Sequence, residues 1–482
     1  MTPDQSQGGS PFYLAGVCLV ASLGGLLFGF DTAVISGTVE RVTGQFDLSD
    51  LEQGWFTSAA LVGCILGAAV AGWSGDRFGR KPNLILAALL FFASALFSAT
   101  PPTFGVLIVA RIVGGVGVGM ASVLGPMYIS ELAPPKWRGR LVAFYQLSIV
   151  LGILLAYLSN WLIVLYAQAH PGAFGGEGLM YRALVAELWR AMFGAEMLPA
   201  ALFFLLLFFV PESPRWMIKA GQVDAGLKVL TRISGATVAQ LELDDIRQAM
   251  SREEGSIAEL FRPGLRIALL VGVMLSVFGQ LSGVNIVVYY GPKILAAAGF
   301  EEVATLLGQV GFGLINLVFT ILALLLIDYL GRRPLLIGGM AVVTVTLAVI
   351  GGLFLAGGAE SALADDAAGS AVSRTVGIWI GVSICVYMAA IAFSICAVIW
   401  VLTPEIFPNR VRGRAASICT FANWSTNAMS AFAFPWYVAT FGMHTGFFTS
   451  GAICLVATLF FFRYVPETKG KSLEEIERSW SR

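Results

Sequence analysis

Four ionisable residues interrupt the long apolar runs of this 482-residue chain: Asp31, Arg111 and Glu196 lie deep within them, and Lys293 lies nearer an end. A charge at the centre of a bilayer costs about 2.5–3.5 kcal/mol even on a lenient insertion scale, so such residues ordinarily have a partner and a task. Asp31 and Arg111 carry opposite charges. If they meet, the guanidinium favours the ionised carboxylate while burial opposes it, and the balance is a proton affinity that a change of conformation could swing. The chemistry on offer is reversible protonation. The same residues could instead form a static pair that ties two helices together, and Glu196 could be a polar contact between helices; the residues alone leave both open.

Other chemistries lack their residues. The two histidines, His170 and His444, stand far apart, and the six cysteines (Cys18, Cys64, Cys385, Cys396, Cys419, Cys454) all fall inside apolar stretches, so no metal, cofactor or disulfide is expected. A nucleophile-base-orienter set and a Gly-x-Ser-x-Gly elbow are missing, which argues against an enzyme. Gly470-Lys471-Ser472 ends like a phosphate loop, but the glycine required five residues earlier is Val465, which disfavours ATP-driven work. The glycine run from Gly114 to Gly119 has no strand before it and reads as close helix packing. Asn423-Trp424-Ser425 fits a glycosylation sequon only formally, because it falls inside an apolar run.

These residues must be carried by membrane-spanning helices. Residues of the set AVILMFWYC make up 57% and charged residues 12%, against roughly 25% charged in a soluble domain. Lys+Arg and Asp+Glu are 30 each, a balance that excludes a nucleic-acid binder, which is basic. The apolar runs are continuous, unlike the alternating strands of a barrel. They predict twelve spans, near 12–37, 53–74, 82–99, 104–130, 140–166, 188–210, 266–297, 304–327, 334–356, 375–402, 414–440 and 446–465. No Lys or Arg precedes Arg41, so the first run lacks the basic flank of a signal peptide and is expected to stay as a span. The expected units are a six-helix bundle over 1–210, a linker of short amphipathic helices over 211–265, a second bundle over 266–465 and a tail over 466–482.

Orientation and repetition follow from the loops. The linker, the tail and the loops on their side carry 24 Lys and Arg, whereas the other side has only Arg41, Arg182, Arg190 and Arg374. By the positive-inside rule both termini and the linker are expected in the cytoplasm, with 168–187 an external loop over the first half. Asp76 with Arg80 recurs as Asp328 with Arg332, Glu131 with Arg138 as Glu405 with Arg412, and Pro211-Glu212-Ser213 as Pro466-Glu467-Thr468. Three motif pairs in one order make the chain a 6+6 pseudo-repeat. Opposite charges at helix mouths can form ion pairs that clamp the halves when that side is closed.

The motifs Asp76-Arg77-x-Gly79-Arg80-Lys81, Asp328-x-x-Gly331-Arg332-Arg333, Pro211-Glu212-Ser213-Pro214-Arg215-Trp216 and Pro466-Glu467-Thr468 resemble those of the sugar porter branch of the major facilitator superfamily, over essentially the whole chain. Within that branch the likeness is to the bacterial D-xylose-proton symporters. The resemblance implies an all-α membrane protein of twelve transmembrane helices, a monosaccharide and a proton as partners in the lipid bilayer, and a monomer in the plasma membrane, the inner membrane of a bacterium. It implies gate residues in the loops (Asp76, Arg77, Arg80, Glu131, Arg138, Glu212, Arg215, Asp328, Arg332, Glu405, Arg412, Glu467). It assigns proton coupling to Asp31 and Arg111, with Glu196 as a second member. A sugar needs amides that both donate and accept, and aromatic faces for its C–H surfaces. At the family's positions stand Gln146, Gln280, Asn285, Asn316, Asn423, Trp400 and Trp424, with Phe28 and Tyr289 expected to line the cavity.

Three positions depart from the pattern. Gly279 replaces the first of two glutamines, Cys396-Ala397 replaces a Gly-Pro, which weakens the case for a helix break there, and Asn423 stands where the xylose symporters have Gln. The expected function is proton-coupled symport of xylose, glucose or a similar sugar by alternating access. A passive facilitator is the alternative, and a non-transporting sensor a more distant one.

Overall fold

The computed structural model describes residues 9–134, 137–250, 257–262, 265–357, 370–408 and 411–469. The phosphate-loop-like Gly470-Lys471-Ser472 and the rest of the tail lie outside them. Eleven segments are long and apolar enough to cross a membrane: Pro11–Phe46 (span 1), Asp50–Phe78 (2), Arg80–Ala99 (3), Phe104–Leu132 (4), Arg138–Ala169 (5), Leu188–Leu207 (6), Leu265–Ala297 (7), Glu302–Leu330 (8), Arg332–Ala356 (9), Arg374–Thr403 (10) and Met443–Tyr464 (12). Span 11, Arg412–Phe441, has the length but is more polar, since it carries a row of amides and hydroxyls that includes the buried Asn423 and Asn427. The fold is a twelve-helix membrane bundle of two six-helix halves. Large apolar side chains such as Phe209, Leu325 and Met429 point outward, as a lipid-facing surface requires.

Three predicted spans are broken, each for a local reason. Span 6 divides into Leu188–Ala195 and Met197–Leu207 with Glu196 between them. Pro199 has no N–H for the carbonyl of Ala195, so the ladder opens where Glu196 sits. Span 7 divides into Leu265–Leu281 and Val284–Ala297, because Gly283 takes φ +90. Tyr387 Oη donates to the freed carbonyl of Ser282 at 2.9 Å. Span 10 divides into Ser370–Phe393 and Ile395–Glu405. The absence of Gly-Pro at Cys396-Ala397 therefore does not remove the break; it sits at Ser394, whose hydroxyl returns to the carbonyl of Ala390 at 2.7 Å. Gly339 of span 9 leaves it room, since a Cβ there would lie 2.1 Å from that of Ser394.

The glycine run of span 4 is packing, as expected. A Cβ at Gly115 would fall 1.9 Å from the carbonyl oxygen of Ala60, and one at Gly119 2.2 Å from that of Cys64, so spans 2 and 4 touch backbone to backbone. Between the halves, span 2 packs on span 11, span 5 on span 8 and span 1 on the second part of span 7.

Among the described residues after span 6 lie the helices Pro214–Lys219, Val223–Ser234 and Ala236–Met250. Ile218, Leu230, Ala239, Leu243 and Ile246 form a small core of their own.

Candidate functional site: a buried ion pair and an amide-lined cavity

Asp31 and Arg111 meet. Both are almost wholly buried, and Arg111 Nη1 lies 2.5 Å from Asp31 Oδ1 while Nη2 donates to the backbone carbonyl of Asp31 at 3.3 Å. The guanidinium also stands over the ring of Phe193 from span 6, 5.2 Å from its centroid. The break in span 6 places Glu196 in the same enclosure, buried beside both residues, with neither carboxylate oxygen meeting a donor. Two acids and one base in a buried chamber carry one negative charge in excess when all are ionised. One proton makes the cluster neutral.

The cavity lies between the halves. Its volume is about 130 Å³, and its polar lining is Gln146, Gln280, Asn285, Asn316, Thr320, Trp400 and Asn423. The amides already bond to one another. Gln280 Nε2 donates to Asn423 Oδ1 at 2.8 Å, and Asn285 Nδ2 donates to Gln280 Oε1 at 2.5 Å. Such pairs exchange for sugar hydroxyls without leaving a buried amide unpaired. Thr320 is a lining residue that sequence reasoning passed over; it lies one turn after Asn316 and donates to its side chain at 3.4 Å.

Three expected residues stand off this cavity. Tyr289 is buried against span 11, where Asn427 Nδ2 donates to its oxygen at 3.0 Å. Phe28 and Trp424 pack on each other across the halves, with ring centroids 5.4 Å apart. Span 5 links cavity and ion pair. Ile149 and Ile153 line the cavity, and a Cβ on Gly29, two residues before Asp31, would lie 1.9 Å from the carbonyl of Ile149.

The loop motifs form two matching latches on the linker side. In the first half Arg80 bonds Glu131 at 2.9 Å and Asp76 at 3.1 Å, Glu212 accepts from the backbone N–H groups of Arg80 and Lys81, and Ser213 donates to Glu131. In the second, Arg332 bonds Glu405 and Asp328 at 2.9 Å, Glu467 accepts from the N–H groups of Arg332 and Arg333, and Thr468 donates to Glu405. Gly79 at φ +99 and Gly331 at φ +92 open the way for these carboxylates, because a Cβ would lie 2.3 Å from Glu212 Oε2 and 2.7 Å from Glu467 Oε2. Burial pushes the Glu212 carboxyl above its usual range. Burial opposes ionisation of Glu467 too, but its hydrogen bonds prevail and hold it below that range.

Every one of these pairs closes within a half; the clamp between halves predicted on this side is not formed by them in this conformation. Arg77 lies over the rings of Trp73 and Phe78, Arg412 donates to the carbonyl of Phe407, and Arg138 feels the charges of Arg215 and Glu242. Ion pairs that do cross between halves lie at the opposite face. Arg41 pairs with Glu302, and Lys293 bonds Gln53 at 3.0 Å with Glu40 at 3.6 Å. Among the described residues no cluster of His, Cys, Asp and Glu could hold a metal ion.

The profile of the family described as "Sugar (and other) transporter" matches residues 17–480. The chain belongs to the sugar transporter family. The transporter is 39% identical over 465 residues to the arabinose-proton symporter of Bacillus subtilis, covering 96% of this chain and 94% of that protein. It is 38% identical over 503 residues to the D-xylose-proton symporter of Escherichia coli, covering 97% and 96%. Its fold matches a partially occluded inward-open conformation of the E. coli xylose transporter with TM-score 0.78, 36% identity and coverage of 96% of this chain and 100% of that one. Membership of a transporter family sets the enzyme reading aside.

Proposed function

We propose that the chain is a proton-coupled monosaccharide symporter that works by alternating access. The observation that carries this is the Asp31–Arg111–Glu196 cluster, one charge short of neutrality and joined through span 5 to an amide-lined cavity. Its relatives are named for arabinose and xylose with a proton, which supports the same class of substrate here. The site residues follow as proposals: Asp31 takes the proton, Arg111 controls its affinity, Glu196 shares it, and Gln146, Gln280, Asn285, Asn316, Trp400 and Asn423 hold the sugar. Phe28, Tyr289 and Trp424 join the site as the halves move.

When Asp31 is protonated, its bond to Arg111 weakens, and span 1 is released from span 4. The halves then rock about the cavity. One proton moved through 100 mV supplies about 2.3 kcal/mol, and each unit of pH gradient about 1.4 kcal/mol. Together these sustain sugar accumulation of roughly several hundred fold.

The charge asymmetry of the loops supports a multi-pass topology in the bacterial inner membrane with linker and both termini in the cytoplasm. With that orientation, the pairs Arg41–Glu302 and Lys293–Gln53 bridge the halves at the outer face, which supports an inward-facing conformation. A complete cavity within one chain supports a monomer, built as bundles over 1–210 and 266–465 with linker 211–265 and tail 466–482. Uptake of a panel of labelled pentoses and hexoses into liposomes, with and without a pH gradient, tests the reading. Uptake that only equilibrates the sugar under a pH gradient would point to a passive facilitator instead.

A further inference from the structure

Two serines on span 3 have no part in the mechanism so far. Ser94 and Ser98 are each 1% exposed, and neither hydroxyl has a protein partner. A buried hydroxyl left unpaired costs about 1–3 kcal/mol, and the same half holds other unpaired polar atoms, namely Arg111 Nε and both carboxylate oxygens of Glu196. Four residues apart, Ser94 and Ser98 stand one above the other on a single face of the helix.

That face leads from the outer end of span 3 to the ion pair. Ser94 Oγ lies 2.3 Å, and Asp31 Oδ1 3.9 Å, from the point a Cβ of Gly114 would occupy. The two oxygens are therefore no more than about 6 Å apart, a gap one water can bridge. At the other end Ser98 precedes Ala99, which packs against Gly194, two residues before Glu196. The groups around this seam are Asp31 from span 1, the Cys64 thiol from span 2, Arg111 from span 4 and Glu196 from span 6. At its outer end stands Arg190, whose charge is matched by Glu187 and whose guanidinium also bonds the carbonyl of Ala99 at 3.2 Å. Two serine hydroxyls without a protein partner, flanked by these charged groups, are where buried water binds, since each such water needs two to four polar partners.

We propose that Ser98 and Ser94, with water between them, form a hydroxyl ladder that carries protons between the outer face and the Asp31–Glu196 pair, inside the first half and apart from the sugar cavity. In each hop the serine oxygen accepts a proton from the water above, which regains one from the outer solvent, and releases its own toward the carboxylate. The hydroxyl is unchanged, and one proton arrives at the acid. The ladder rests on the symport reading and adds to it a proton entrance that stays separate from the sugar's route.

The test uses the full-length transporter in liposomes and compares two rates. Net uptake driven by a pH gradient requires proton arrival and departure, whereas exchange of internal for external sugar at equal pH does not. Ser94→Val and Ser98→Val are expected to slow gradient-driven uptake about tenfold or more while exchange stays within twofold of the unsubstituted protein. Ser94→Thr, which keeps the hydroxyl, is expected to retain both rates. Ser94→Ala supplies a milder lesion should the valine variants fail to fold. Equal loss of uptake and exchange would show a packing role and overturn the proposal, as would uptake unaffected by either valine. Absence of sugar-linked proton movement in the unsubstituted protein would overturn the symport reading itself, a result separable from both.

Discussion

Arg111 grips Asp31 at two points, the carboxylate at 2.5 Å and the backbone carbonyl at 3.3 Å, so the proton site and the backbone of span 1 are held by one side chain. Removing the negative charge by Asp31→Asn keeps the shape and abolishes the titration. Uptake should fall from uphill accumulation to simple equilibration, with sugar exchange retained and no alkalinisation of the medium. Retained accumulation in that variant would remove Asp31 from the coupling mechanism.

Arg111→Gln is a different lesion. It leaves Asp31 and Glu196 buried together without a cation, and breaking a buried pair from one side costs about 3–5 kcal/mol. The thermal midpoint in detergent should drop markedly, whereas that of Asp31→Asn should change little. Equal midpoints for the two would mean the pair contributes no net order.

Gln280 lies at the centre of the amide set, bonded to both Asn423 and Asn285. Gln280→Ala removes a group that can donate and accept at once, at a cost of about 1–3 kcal/mol. Sugar affinity should weaken roughly tenfold to a hundredfold, read from the fluorescence of the transporter as Trp400 meets the ligand. Unchanged affinity would place the sugar elsewhere.

The two latches should respond oppositely to acid. Glu212 is pushed up by burial, so folding favours its protonated form, and the penalty for its charge is present at neutral pH and relieved as pH falls through its raised value. Glu467 is held down by its hydrogen bonds, so its contribution is present above the usual glutamate range, near pH 4.3, and is lost as pH falls through its lowered value. Glu467→Gln should therefore lower the melting temperature at pH 7 with an effect that shrinks in acid. Glu212→Gln should be neutral or stabilising at pH 7. Melting curves of both variants from pH 7 down to pH 3 check the signs.

Lys293 ties the second half to Gln53 and Glu40 of the first. These groups are partly exposed, so Lys293→Met should cost the closed outer face at most about 1 kcal/mol, or some fivefold in population. Labelling of a cysteine introduced on the outer wall should quicken by that factor. No change would mean that the helix packing alone keeps this face shut.

Much of this molecule is written locally. A run of about 20 apolar residues must cross the bilayer as a helix because no other structure satisfies its backbone there, so the spans were legible. Buried charge is costly wherever it lies, which singled out Asp31, Arg111 and Glu196 before any contact was known. What the residues could not decide was which groups meet. Glu131 and Glu405 carry the same motif whether they bridge the halves or staple one half, and only the packing of spans 2, 3, 4 and 6 shows that Arg80 takes Glu131 for itself. Lys293, on a span end, gave no sign that its partner is Gln53, 240 positions away. Tyr289 and Gln280 both sit on span 7 and both meet an amide of span 11, yet only Gln280 lines the cavity, because Gly283 breaks the helix between them and turns its second part. Composition and periodicity fix which segments cross the membrane; side-chain partners depend on the relative rotation of twelve helices, and that is settled by contacts between residues remote in the chain.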